Sequence, residues 1–139
     1  MDRILKKLDE KNDLLEKFYR INESELFNFK EGRFQQLAQF YESREGILKI
    51  IGKLDAMLES DLQWEGEDLS DGHTKQLIET LDYKEDLVRR ILGQDLEILS
   101  LVETEKSNII KNLRSVRETR NVITKYNGGA TTILDDFEV

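Results

Sequence analysis

Proline and cysteine are both missing from this chain of 139 residues, and histidine and tryptophan occur once each. Without proline, no stretch carries the residue that most strongly interrupts a helix by removing a backbone donor and clashing with the preceding turn. Without cysteine there are no disulfides and no thiol chemistry, and with His73 as the single imidazole the usual nitrogen and sulfur zinc clusters cannot be assembled within one chain. Long apolar runs are missing too. None approaches the ~18 residues that a membrane span requires, and the first eleven residues alternate charges with Ile4, Leu5 and Leu8, unlike a signal peptide. There is no glycine-rich phosphate loop, nucleophile elbow or paired metal-ligand motif. These absences lead us to expect no enzymatic activity, no cofactor, no bound metal and no membrane insertion.

What is present is charge and a helical apolar period. Charged residues make up 36% of the chain and hydrophobic ones 38%, a balance that suits helices with one apolar face rather than disorder throughout. The net charge of -8 opposes attraction to phosphate backbones and anionic lipid, so no nucleic-acid partner is expected; the lack of cysteine and of a signal-like start makes the cytoplasm the expected compartment. The length suits one domain with a core of its own.

The pattern predicts an all-α fold: an antiparallel bundle or coiled coil of three long helices, the third extended, with a flexible C-terminal tail. The first helix is expected over about residues 2–29, where Ile4, Leu8, Leu15, Phe18, Leu26 and Phe29 form one stripe. Gly32 then supplies a short turn, and a short connection makes neighbouring helices antiparallel. A second helix is expected over about residues 33–61, with a wide apolar face that includes Phe34, Leu37, Phe40, Tyr41, Ile47, Leu48, Ile51, Leu54 and Leu58. Residues 62–73 read as an acidic loop containing Trp64, two glycines and several carboxylates. The third helix is expected over about residues 74–126, stopped by Asn127, Gly128 and Gly129. Its apolar residues, Leu77, Leu81, Val88, Ile91, Leu96, Leu99, Val102, Ile109, Leu113, Val116, Ile123 and Tyr126, recur mostly at intervals of three, four or seven. Residues 128–139 carry no helical period and form the expected flexible tail.

Several local features have bland readings that compete with sharper ones. Asp61, Glu65, Glu67, Asp68 and Asp71 are carboxylate-rich but lack EF-hand spacing, so a solvated loop is preferred to a calcium site. Trp64 either closes the open end of a bundle or anchors a partner, and closure is preferred because burying the ring stabilises the fold itself. His73 reads as a surface residue. The cations from Lys106 to Lys125 suit the negative end of a helix dipole better than a dedicated acidic-partner site. The tail, with apolar clusters flanked by Asp135, Asp136 and Glu138, either occludes a groove, docks on a partner or frays.

Length supplies the functional expectation. Two arms of ~28 residues span ~42 Å each at 1.5 Å per residue, so a third helix is covered by them for only about its first thirty residues. The apolar residues beyond still need burial, at about 1.5–3 kcal/mol for each large side chain. We therefore expect a partner-binding seam at Leu99, Val102, Ile109, Leu113, Val116 and Ile123. Its occupant is another protein's amphipathic helix or a second copy in a homodimer. A break near Gly93 or Ser107, folding the last segment back as a fourth helix, is the least supported option because the period runs straight through Gly93.

The turn and second helix, Lys30-Glu31-Gly32-Arg33-Phe34-Gln35-Gln36-Leu37 with Phe40-Tyr41-Glu42-Ser43-Arg44-Glu45-Gly46-Ile47-Leu48, resemble flagellar type III export chaperones of the FliT type. The resemblance resumes in Ile91-Leu92-Gly93-Gln94-Asp95-Leu96-Glu97-Ile98-Leu99, continues through Glu105-Lys106 and Leu113-Arg114, and ends at Tyr126. It extends to the related FlgN-type chaperones. It implies a cytoplasmic helical chaperone that holds an amphipathic helix of a filament-cap or hook-associated flagellar subunit before secretion, with the export ATPase complex as a second contact and no catalytic residues. The alternative is a structural coiled-coil dimerisation or adaptor protein without a client.

Overall fold

A computed structural model describes residues 1–64 and 71–126. All three elements are helices: α1 (Asp2–Lys30), α2 (Leu37–Trp64) and α3 (Asp71–Tyr126). The described residues contain no strand, and the chain divides into two compact units, Met1–Leu99 and Ser100–Val139. The fold is all-α, and none of its described helices is long and apolar enough to cross a membrane.

In the first unit, α1 ends in a Schellman cap. The Arg33 amide donates to the Asn28 carbonyl at 2.9 Å and the Gly32 amide to the Phe29 carbonyl at 3.0 Å, with Gly32 at a φ of 77°, a conformation that glycine adopts without a Cβ penalty. The turn after Gly32 holds more residues than the sequence pattern suggests, and α2 begins at Leu37 rather than Arg33. The cause is Phe34, which stacks on Phe29 with ring centroids 4.9 Å apart and occupies the chain in a turn before the helix starts. Phe40, one turn into α2, meets Phe29 edge to face at 5.5 Å. At the far end α2 stays helical through Trp64 and α3 begins at Asp71, so the loop expected over 62–73 is helical at both margins. Residues 65–70, the Trp64 side chain and residues 127–139 lie outside the described parts, and with them the expected roles of Trp64, the loop carboxylates Glu65, Glu67 and Asp68, and the tail.

Cross-helix contacts establish the directions. Lys7 pairs with Asp61, and Lys11 Nζ lies 2.6 Å from Asp55 Oδ1, so α1 and α2 are antiparallel. Asn12 Nδ2 donates to the Thr80 carbonyl at 3.1 Å, and Lys30 Nζ lies 2.9 Å from Glu97 Oε1, so this part of α3 runs parallel to α1. His73, expected as a surface residue, is half-buried with Nε2 3.0 Å from Asp2 Oδ1, joining the first turns of α1 and α3. Tyr83 donates its hydroxyl to the Glu16 carboxylate. That bond, with desolvation of the phenol and the neighbouring negative charge, raises its pKa above the ordinary tyrosine value.

The core lies where Leu15 and Phe18 of α1, Ile47 and Ile51 of α2, and Leu87 and Ile91 of α3 meet, with Leu14, Tyr19 and Ile21 packed around them. Beside it is a polar layer. Asn22, fully buried, donates to Gln94 Oε1 at 3.0 Å, while Gln94 donates to the Tyr19 carbonyl at 3.1 Å and to Glu23 Oε1 at 2.8 Å. Asn22 Oδ1 is buried without a partner, but the bonds that Asn22 and Gln94 do make disfavour sliding of one helix along the next, because a slipped register would break them.

In the second unit the described residues, 100–126, form one helical segment that belongs to α3. None of residues 100–125 is buried. The helix is unbroken at both Gly93 and Ser107, and the back-folded fourth helix that a break there would create does not form within 71–126.

Candidate functional site

Helix α3 carries two seams, displaced from each other by a single residue. On the inner one, Leu87, Ile91, Gln94 and Ile98 are buried, and Leu77, Thr80, Lys84, Leu101 and Glu105 are intermediate. Intervals of three and four keep this set on one side of the helix, facing α1 and α2 within the first unit. Past Leu101 the same register passes through Glu105, Asn108, Asn112, Ser115 and Thr119, all polar. The inner seam therefore loses its apolar character close to where the first unit ends at Leu99.

The outer seam is one residue later at every step. Starting from Ile78 and Leu81, each seventh residue falls on it as far as Arg120 and Ile123, a strict heptad repeat. All of these positions are apolar except Glu85, Asp95, Lys106 and Arg120. In the first unit Leu92 and Leu99 are 58% and 55% exposed, and in the second Ile109 and Leu113 are 50% and 56% exposed, values that place most of each side chain's apolar surface in water.

The single stripe expected from sequence mixed the two. Leu77 and Ile91 belong to the inner seam. Leu81, Val88, Leu99, Val102, Ile109, Leu113, Val116 and Ile123 belong to the outer one, and Leu96, 71% exposed, belongs to neither. Of the six residues expected to bind a partner, Leu99 lies in the first unit and Val102, Ile109, Leu113, Val116 and Ile123 in the second. All six lie on the outer seam; Val102 is intermediate in burial and the other five are exposed.

In the first unit the outer seam forms one wall of a groove that the sequence pattern did not reveal. Leu15 and Phe18 of α1 make its floor, Arg44 and Leu48 of α2 one wall, and Val88, Leu92 and Asp95 of α3 the other, around a cavity of ≈ 200 Å³. A second cavity of ≈ 460 Å³ continues along α1 and α3 past Lys11, Leu81 and Lys84, and shares Leu15 and Val88 with the first. Arg44 closes one end. Its Nη2 donates to Asp95 Oδ1 at 2.9 Å, and its guanidinium lies 4.6 Å from the Phe18 ring centroid and 4.9 Å from that of Phe40, so one side chain ties all three helices together. The groove is thus apolar at its base, with Arg44 and Asp95 on its walls.

Among the described residues no group of three histidine, cysteine, aspartate or glutamate side chains is placed to hold a metal ion. Of the charged residues lining the groove, Lys11 pairs with Asp55 and Arg44 with Asp95, each between two helices. The fold and site define an all-α protein with an open, largely apolar groove between its three helices. No known protein family, no curated protein and no solved structure matches the chain.

Proposed function

We propose that this protein is a cytoplasmic flagellar export chaperone that binds an amphipathic helix of a filament-cap or hook-associated subunit and keeps it from assembling before type III secretion. The observation that carries the helix-binding part is the open groove of the first unit, whose Leu48, Val88 and Leu92 present apolar surface to water. A client helix laid there with anchors at three- and four-residue intervals removes that surface from water and completes a four-helix cross-section. The exposed residues of the second unit, Ile109, Leu113, Val116 and Ile123, offer the same chemistry on a single helix face. The flagellar part rests on the resemblance of the Lys30 to Leu48 and Ile91 to Leu99 segments to FliT-type chaperones. It carries with it the export ATPase complex as a second contact and the absence of a catalytic role.

The test is co-purification of flagellar subunits with the full chain, read by mass spectrometry and followed by competition with a peptide from the bound subunit's C-terminal helix. Leu92→Asp in the groove, and Ile109→Asp combined with Leu113→Asp in the second unit, should each abolish subunit binding while the helical circular-dichroism signal stays largely intact. Retained binding in all of these variants would place the client elsewhere. Capture of a helical client from outside the flagellar system would keep the groove and discard the flagellar assignment.

A further inference from the structure

Near the Gly32 turn, α1 and α2 border a second kind of cavity, polar where the groove is apolar, with a volume of ≈ 380 Å³ and no lining residue in common with the groove. Side-chain oxygens dominate it: the Glu25 carboxylate and the Ser24 hydroxyl from α1, and Gln36, Gln39 and Ser43 from the turn and the first two turns of α2. Ile21 and Phe40 add apolar surface, and no lysine, arginine or histidine lines the space. Glu25 is the exceptional charge of the first unit. Among its described residues five carboxylates are half-buried, those of Glu16, Glu25, Asp61, Asp86 and Asp95, and four of them have a cation. Glu16 lies 3.6 Å from Arg20, Asp61 pairs with Lys7, Asp86 lies 3.1 Å from Arg90, and Asp95 lies 2.9 Å from Arg44. Glu25 has no such neighbour, and its Oε2 is withdrawn from water without a hydrogen-bond partner. The residues three and four places away along α1 are Ile21, Asn22, Asn28 and Phe29, none of them cationic. A carboxylate partly removed from water and lacking a counter-charge is unfavourable by itself, and it draws a cation to the space beside it.

The geometry points to this cavity as a binding site for a guanidinium group. A divalent metal ion does not suit it, because such an ion takes about six or more oxygens in its first shell, and among the described residues no three acidic or histidine side chains are placed to hold one. An ammonium is a compact point charge that holds its hydration strongly. A guanidinium is planar and more weakly hydrated, and its fork of donors takes a carboxylate edge while the remaining N–H groups reach hydroxyl and amide oxygens. Those acceptors are what Ser24, Ser43, Gln36 and Gln39 supply around Glu25. The methylenes of the stem pack on Ile21 and Phe40, and the volume lies in the range that accepts small organic groups. The same chemistry comes on a free small molecule or on an arginine side chain of another polypeptide, and the cavity recognises what the two share.

NMR of the 15N-labelled full chain tests the site, through the side-chain amides of Gln36 and Gln39 and the backbone amides of Ser24, Glu25 and Ser43. Ethylguanidinium added to about 50 mM should give saturable shifts confined to these groups, with a dissociation constant on the order of 1–10 mM for so small a ligand. Glu25→Gln keeps the shape and removes the charge, and should weaken binding at least about tenfold while Tm is unchanged or raised. Ser43→Leu, at an exposed position, fills part of the cavity and should weaken binding as much with the helical circular-dichroism signal intact. Arginine blocked at both ends separates the sources. Tighter binding of the blocked arginine assigns the site to an arginine residue of a polypeptide, tighter binding of ethylguanidinium assigns it to a free small molecule, and both results support the guanidinium site. Butylammonium binding as tightly as ethylguanidinium would overturn the choice of group. Shifts that fail to saturate, as in a cavity that holds water only, or full affinity in Glu25→Gln, would overturn the site. The titration uses no flagellar subunit, so its failure leaves the client reading standing, and loss of client binding leaves this site standing.

Discussion

Ile98 and Leu99 are adjacent in sequence and belong to different seams, which makes them a sharp comparison. Ile98 is 2% exposed and lies on the inner seam, while Leu99 is 55% exposed and lies on the outer one. Truncating a buried isoleucine to alanine removes its transfer free energy and leaves a cavity, at a cost of about 2–5 kcal/mol. The same truncation at Leu99 removes atoms that are half in water and puts alanine, the best helix former, in their place, so the change in the isolated chain stays within about 0.5 kcal/mol. With a shift of about 4–8 °C per kcal/mol for a unit of this size, Ile98→Ala should lower Tm by about 10–40 °C, and Leu99→Ala by no more than about 4 °C. The assay is thermal and urea unfolding followed by circular dichroism, at dilutions low enough for the chain to be monomeric. Partner binding should show the reverse order for the surface variant: Leu99→Ala keeps the fold and weakens association by about tenfold, since it withdraws apolar area from the contact alone. If Leu99→Ala unfolds the monomer as readily as Ile98→Ala does, the division of α3 into two seams is wrong.

Two further outcomes follow from the same contacts. Arg44→Ala removes the ion pair to Asp95 and the stacking on Phe18 and Phe40, leaves Asp95 partly buried without that partner, and should cost about 2–4 kcal/mol in urea unfolding. Arg44→Lys should recover only part of this, because an ammonium keeps the charge but not the planar stacking. Gly93→Ala adds a Cβ where nothing lies within 4 Å, and should stabilise the chain by about 0.5–1 kcal/mol through helix propensity. A loss of stability there would mean that the helix is not regular at Gly93.

The all-α class and the existence of three helices were legible in the sequence, because an apolar period of three and four without proline has few other solutions. The turn at Gly32 was legible too, since it depends on one residue's freedom to adopt a positive φ. Its length was not, because the stacking of Phe34 on Phe29 joins two rings that periodicity treats as separate entries into two helices. The six residues proposed as a partner seam all lie on the outer face of α3, so that face was marked by apolar spacing alone.

Which face of α3 turns inward was decided by tertiary packing. The two seams are one residue apart, each is spaced by threes and fours, and hydrophobicity ranks Leu99 with Ile98 and above Gln94. Gln94 is nevertheless buried and Leu99 is not, because Asn22, Glu23 and the Tyr19 carbonyl supply the hydrogen bonds that an amide needs away from water. A one-dimensional pattern holds the period of a helix but not the identity of its neighbours. The groove of Leu15, Phe18, Arg44, Leu48, Val88 and Leu92 draws on all three helices, and it exists only once they are set side by side.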